Sequence, residues 1–339
     1  MSSDNEGGPL APGRLSGFST ESAYLDLSEL NTINCHSLKL LHLNIRSIPA
    51  NRDSLCLFLA NLNVGGVEPD ALLLCETFLN NKNYYLHAIP NYNLYESHRR
   101  DRRGGGVAIY VHKKFICSKI PALSVFDEGT FESIFLEVKL KNRKFILGEI
   151  YKPPNTSYTN FTDLLQTTYT LLDNYTCPKF IGTDQNIDCL AEQNSNKVIN
   201  LINLNTSHGL SYTINKPTRV TDSTATLIDN IIASIDVGSS LSSYIMRTDI
   251  SDHYTCLVVV PLKTKIQRQA ASYKYRKVTP EALALINQTL QHENGHHWMH
   301  RRLTRDSPTS FPKFNSIMTD TVLRLRVGLN LSHLSPRSG

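Results

Sequence analysis

No stretch of this 339-residue chain approaches the run of about 18 apolar residues that a membrane-spanning helix needs, so no membrane partner is expected. The opening segment, "MSSDNEGGPLAPGRLSGFST", lacks both a basic n-region and an apolar h-region, which excludes a secretory signal. C-x-x-C occurs nowhere. The seven cysteines (35, 56, 75, 117, 177, 189 and 256) are odd in number, and several lie inside apolar runs such as "ALLLCETFL". Free thiols in a reducing compartment are therefore expected, with neither a disulfide framework nor a structural zinc site. A strong charge imbalance is also missing. The formal net charge of +5 is compatible with a polyanionic partner and does not by itself require one. No internal repeat is visible.

What is present is an ordinary globular composition, 40% hydrophobic and 19% charged, sufficient for a sizeable core. Residues 1–36, rich in Ser, Gly, Asn and Pro without periodicity, read as a disordered leader. Beyond them the pattern changes. "LKLLHLN" (38–44) and "PDALLLCET" (69–77) are short, almost continuous apolar runs, as expected of strands buried on both faces. "SLCLFLANLN" (54–63) has helical spacing, and "GGGVAIYV" (104–111) is a strand introduced by glycines. "SIFLEVKL" (133–140) and "KFILGEIY" (144–151) predict an antiparallel hairpin. Phe161, Leu164, Leu165, Thr168, Leu171, Leu172 and Tyr175 mark one face of a helix over 158–175. A strand at 179–182, a helix near 197–204 and strands at 225–234 and 253–260 complete the series. Hairpins mixed with strand–helix alternation predict an α/β fold of two face-packed mixed sheets with helices outside. Residues 263–339 read as a basic linker followed by a partly helical tail.

Polar residues punctuate the strand ends. Asn44 and Glu76 close the first two strands, Tyr151 closes the hairpin, and Asp184 and Asn186 follow the strand at 179–182. Asp229 lies in an apolar strand, and Asp252 and His253 open the last one. Groups at strand ends converge on one rim of an α/β sheet, where ligands bind. Carboxylates and amides there suit a hard divalent cation and a phosphate, and the remaining acid and imidazole groups suit proton transfer. Taken singly, Asn44 also suits a turn, Glu76 a solvated strand end and Tyr151 a packed aromatic. Asp229 and the pair Asp252–His253 resist such readings, because ionisable groups in or at a core strand need partners.

The ordered set "LLHLNIRSI", "LLLCETFL", "RRGGGVAIYV", "LGEIYKPPN", "IGTDQNID", "ATLIDNIIAS" and "ISDHYTCL" resembles the endonuclease/exonuclease/phosphatase superfamily. More narrowly, it resembles the apurinic-endonuclease-like domain that precedes the reverse transcriptase in LINE-type non-LTR retrotransposons. The resemblance covers about residues 37–262 and implies a four-layer α/β sandwich that cuts phosphodiesters with Mg²⁺, Mn²⁺ being an alternative. It implies Glu76 as principal metal ligand with Asn44 beside it, and Asp252 close to the metal or to a second cation. Asp184 would position or deprotonate the attacking water, and Asn186 would orient water and phosphate. Tyr151 would hydrogen-bond the scissile phosphate. Asp229 would hold His253, which would stabilise charge on phosphorus or move a proton.

Two departures stand out. Gln185 takes a place between Asp184 and Asn186 that is apolar in the family, which predicts a displaced loop. Arg46 stands where repair-type relatives often carry an acid, which points to the retrotransposon branch. For DNA contact, "HRRDRRGGG" (98–106) offers Arg99, Arg100, Arg102 and Arg103, with Arg219 as a further candidate; a merely solvated loop is the alternative. No reverse-transcriptase motif occurs before the chain ends, so a reverse transcriptase and element RNA would come from another polypeptide, with nuclear residence following from the DNA substrate. Two alternatives stay open: a decayed fragment that binds DNA or is inert, and another phosphoesterase of the same fold.

Overall fold

A computed structural model describes residues 17–261, apart from 35, 82–83, 101–102, 142, 192–195 and 239, together with Gln288. The expected linker and tail, Gln288 apart, and residues 1–16 of the expected leader lie outside the described residues. Chain contacts divide the protein into two units, 1–266 and 267–339, and the fold below is that of the first.

Two seven-stranded sheets face each other. In the first, the strands run in the order Ala23–Tyr24, Ser242–Met246, Thr255–Pro261, Ser37–Asn44, Ala71–Cys75, Val107–His112 and Tyr92–Ser97. Ser37–Asn44 sits at its centre, antiparallel to Thr255–Pro261 and parallel to Ala71–Cys75, with Asn44 opposite Cys75. The second sheet runs Leu210–Tyr212, Asp229–Ser234, Lys179–Asp184, Arg143–Tyr151, Phe131–Leu140 and Ile116–Lys119, and Phe126–Asp127 also pairs with Phe131–Leu140. The predicted hairpin is present, and Asp184 is in register with both Tyr151 and Asp229.

The alternation of side chains explains the layering. Leu38, Leu40, Leu73, Ile109 and Val258 from one sheet meet Ile134, Leu136, Leu147, Phe180 and Ile231 from the other in a dry central layer. The opposite face of the first sheet, including Leu41, Leu43, Leu72 and Leu257, packs on Leu55, Phe58, Leu59 and Leu62 of helix Ile48–Val64. The outer face of the second sheet packs on Phe161, Leu165, Tyr169 and Leu172 of helix Tyr158–Leu172 and Leu201 of helix Asn196–Ser207. Both central strands are thus apolar on both faces, and the result is the expected four-layer sandwich.

The leader is corrected in part. Residues 17–34 are built onto the domain: Ala23–Tyr24 adds a parallel strand to Ser242–Met246, and Ser19 N–H bonds the carbonyl of Tyr212. Phe18 stacks on Tyr212, while Leu25 and Leu30 are buried. Low complexity concealed a few well-spaced apolar residues that cover an edge. A second correction concerns residues 225–234, which break into Ala225–Thr226 and Asp229–Ser234, so Asp229 begins a strand rather than sitting in its middle.

Candidate active site

The rim at the ends of Ser37–Asn44, Ala71–Cys75, Arg143–Tyr151 and Lys179–Asp184 gathers the polar residues. Asn44 is buried and donates from Nδ2 to Glu76 Oε1 (2.9 Å) and to Asp184 Oδ2 (2.8 Å), so one amide links the two sheets. Tyr151 donates its hydroxyl to the same Glu76 Oε1 at 3.0 Å. Asn186 is anchored by its N–H on Asp184 Oδ1 (2.9 Å) and by its side-chain amide on the carbonyl of Lys152 (2.8 Å). His253 Nδ1 lies 2.9 and 3.1 Å from the oxygens of Asp229, and Thr218 donates its hydroxyl to Asp229 Oδ2 at 2.8 Å.

Backbone strain marks the same place. Of the seven described non-glycine residues with positive φ, Arg46, Ser47, Glu76, Phe78 and Asn186 are at this rim. Each such conformation costs on the order of 1–3 kcal/mol and persists where surrounding bonds enforce it. Here the loops after the two parallel strands run side by side, with Ile45 N–H on the Cys75 carbonyl, Ser47 N–H on Glu76 and Ile48 N–H on Thr77.

Burial and charge set the protonation states. Burial, then the neighbouring Asp229 carboxylate, pushes Asp184 up to about 7. Burial opposes the charge of His253, but the Asp229 carboxylate outweighs it and raises the imidazole to about 9. The reverse holds for Asp229: burial disfavours its charge, yet His253, with help from His42, keeps it well below the usual carboxylate range. Burial and the nearby Glu76 raise the Tyr151 phenol, which stays a hydrogen-bond donor.

A hard divalent cation fits this donor set. Glu76 receives both of its hydrogen bonds on Oε1, and among the described residues none reaches Oε2. That oxygen, with the second lone pair of the Asn44 side-chain oxygen, whose first accepts the Arg46 N–H at 3.1 Å, is the kind of sparse oxygen set Mg²⁺ uses alongside water and phosphate. Asp184, Asp229 and His253 also lie close enough to hold an ion, but Asp229 is already occupied by His253 and Thr218.

Asp252, expected close to the metal or to a second cation, has both carboxylate oxygens paired with arginines. Arg46 Nη1 meets Oδ1 at 2.7 Å, and Arg219 meets Oδ2 through Nε and Nη2 at 2.9 and 2.7 Å. Burial opposes its charge, but the Arg219 and Arg46 guanidiniums outweigh that and hold its pKa below the usual carboxylate value. The same contacts place Arg219 and Arg46 at the rim, beside Asp252. Arg99, expected among the DNA contacts, has its side chain mostly buried and paired within the protein. Its Nε lies 2.5 Å from Glu132, which is fully buried and also accepts N–H bonds from Gly106 and Gly129. Gly105, at φ +61°, has no room for a Cβ because the Arg99 guanidinium would lie 2.3 Å away. Arg99 therefore clamps the glycine turn. Arg100 and Arg103 are exposed, and Arg102 lies outside the described residues.

Gln185 does not displace the loop: Asp184 and Asn186 keep their bonds. Its Oε1 accepts the buried Tyr212 hydroxyl at 2.8 Å, while Nε2 is buried without a hydrogen-bond acceptor. Sequence reasoning missed Thr218, Glu132, His42 and Glu149. For the last two, the signal was an ionisable residue inside each apolar run, "LLHLN" and "LGEIY". His42 Nδ1 lies 3.2 Å from Glu149 Oε2, and both side chains are fully buried. Burial opposes the charge on His42, but Glu149 raises it to about 10.

No family model and no curated protein matches the chain. Solved structures do. The endonuclease domain of TRAS1, a telomere-specific non-LTR retrotransposon, aligns at a TM-score of 0.54 and 13% identity, over 67% of this chain and 100% of that one. A humanized D. rerio TDP2 aligns at 0.50 and 15%, covering 66% and 98%. A mannosyl-6-phosphatase of Bacteroides thetaiotaomicron aligns at 0.50 and 18%, covering 66% and 100%. At these identities the likeness is one of fold, and the chain has the DNase I-like fold of the endonuclease/exonuclease/phosphatase structures.

Proposed function

We propose that the protein is a metal-dependent phosphodiesterase that nicks DNA. The observation that carries this reading is the convergence, across two sheets, of Asn44, Glu76 and Tyr151 with Asp184, Asn186 and the Asp229–His253 pair. Glu76 and Asn44 would hold Mg²⁺ or Mn²⁺, which when bound withdraws charge from a phosphate oxygen. Asp184, once ionised, takes the proton of the attacking water, and Asn186 orients that water. Tyr151 donates its hydroxyl to the phosphate. The His253 imidazolium, its Nδ1 held by Asp229, donates from Nε2 to the charge that grows on the phosphate oxygens. The products are a 3′-hydroxyl and a 5′-phosphate.

DNA is favoured over a small phosphoester by the cations at the rim, since Arg46 and Arg219 flank the site and Arg100 and Arg103 are exposed beside the glycine turn. The resemblance to retrotransposon endonucleases supports the same choice, and a role in an element would add a reverse transcriptase and element RNA on another polypeptide, acting in the nucleus. Conversion of supercoiled plasmid to open circle by the full chain tests the reading. Nicking with Mg²⁺, abolished by EDTA and cut to a small residual rate by His253→Ala, is expected; DNA binding without nicking by folded protein would leave a binding-only remnant.

A further inference from the structure

Behind Asp229 lies a feature that the hydrolytic roles above do not use. The ring of His42 sits between two carboxylates, with Nδ1 3.2 Å from Glu149 Oε2 and Nε2 3.6 Å from Asp229 Oδ1. The first is a hydrogen bond; the second is an ion-pair distance. The chain of contacts crosses from sheet to sheet at every step. Glu149 belongs to the second sheet, His42 to the first, Asp229 to the second, and His253 leads into the last strand of the first.

Packing alone gives no reason for charges here. In the first sheet His42 is in register with Leu73 and Cys256, and in the second Glu149 pairs with Gly182 and Ile134. Replacing such a buried pair with apolar residues of similar size is often neutral or stabilising, whereas removing one partner is costly. Space has nevertheless been made for it. A Cβ on Gly182 would lie 2.2 Å from Glu149 Oε2 and 2.9 Å from His42 Nδ1, so the strand carries glycine where the pair stands. Asp229 Oδ1 faces His42 on one side and His253 on the other, while Oδ2 takes the Thr218 hydroxyl. With these contacts the carboxylate has one orientation, and that orientation aims Nδ1–H of His253.

We propose that His42, anchored by Glu149, is a positioning residue of the hydrolytic site that fixes the Asp229 carboxylate and through it the ring of His253. This rests on the nuclease reading for its consequence in catalysis, though not for its geometry. The test uses the full chain with the paired swap His42→Phe/Glu149→Leu, which strands no charge, and with His42→Gln should that swap fail to fold. Expected is a fall of about 10- to 100-fold in the plasmid-nicking kcat, the usual loss on removing a supporting partner. KM should be unchanged and the melting temperature not lowered. In a His253→Ala background the swap should cost nothing further. Wild-type turnover by the folded swap, or an equal additional loss in that background, would overturn the proposal. Proton spectra of histidine-¹⁵N-labelled protein supply a reading without turnover. The downfield Nδ1–H resonance of His253 should shift or disappear in the swap, and an unchanged resonance sinks the positioning role. An inactive wild type would sink the nuclease reading alone, leaving the spectra to decide this one.

Discussion

Arg46, in a loop, and Arg219, in the short strand Arg219–Val220, close on the two oxygens of Asp252 from 206 and 33 residues away along the chain. Their side chains remain 53% and 40% exposed, so both cations keep faces turned to solvent. An acid bracketed in this way orients two guanidiniums at low entropic cost and leaves them free to meet a polyanion's backbone. At this scale the prediction concerns affinity rather than turnover. Arg46→Ala and Arg219→Ala should each weaken plasmid binding at 100 mM salt. Each should also reduce the slope of log K against log salt by about one phosphate contact. Unchanged slopes in both variants would mean that these arginines serve only Asp252. Gln185 illustrates a different residue-level outcome. Its carbonyl finds Tyr212, its amide nitrogen finds nothing, and Asp184 and Asn186 stay in place, so the cost is confined to the orphaned donor at roughly 1–3 kcal/mol.

The elements that carry the site were legible because their signals are local. The apolar runs ending at Asn44 and Glu76, the 133–151 hairpin and the helix at 158–172 follow from period and burial, and each delivers its polar residue to the same rim. What escaped was whatever depends on a partner distant in sequence. Strand Ala23–Tyr24 is two residues long and exists because Ser242–Met246 needs an edge covered. The arginines of "HRRDRRGGG" look alike in sequence, and only the buried Glu132 separates Arg99 from the rest. Two measurements follow. A chain beginning at residue 26 should melt several degrees below one beginning at residue 16, since about 1 kcal/mol moves a domain of this size by 2–4 °C; equal melting would show that the edge strand contributes nothing. Arg99→Ala should destabilise by about 3–5 kcal/mol in urea, because it strands a buried carboxylate. Arg100→Ala and Arg103→Ala should leave stability within about 0.5 kcal/mol and act on DNA binding instead.

At the scale of the whole molecule, the two sheets are joined at their core by apolar side chains and at their rim by charge. Asn44 bridges to Asp184, His42 to Glu149 and Asp229, and His253 to Asp229, each across the sandwich. Stability should therefore depend on pH through the rim. His253 is raised from 6.5 to about 9, so the native state binds its proton more tightly than the unfolded chain does. That contribution is complete below pH 6.5 and is lost as pH rises through 9. Asp184, raised from 3.8 to about 7, acts in the same direction at lower pH, its protonated form being the one the fold favours. Through His253 alone, metal-free protein should lose on the order of 2–3 kcal/mol of unfolding free energy between pH 6.5 and 9, and His42, raised to about 10, adds a loss in the same direction. Urea titrations in EDTA across that range would measure it, and His253→Gln should make the decline shallower, leaving the share that His42 supplies. A flat wild-type profile would mean a neutral His253, and with it a site that cannot present an imidazolium to the phosphate. Activity should run the other way over part of this range, rising through pH 7 as Asp184 ionises and falling near 9 as His253 loses its proton. On the proposed function, the pH of fastest nicking would thus be one at which the two sheets are already less firmly joined than in mild acid.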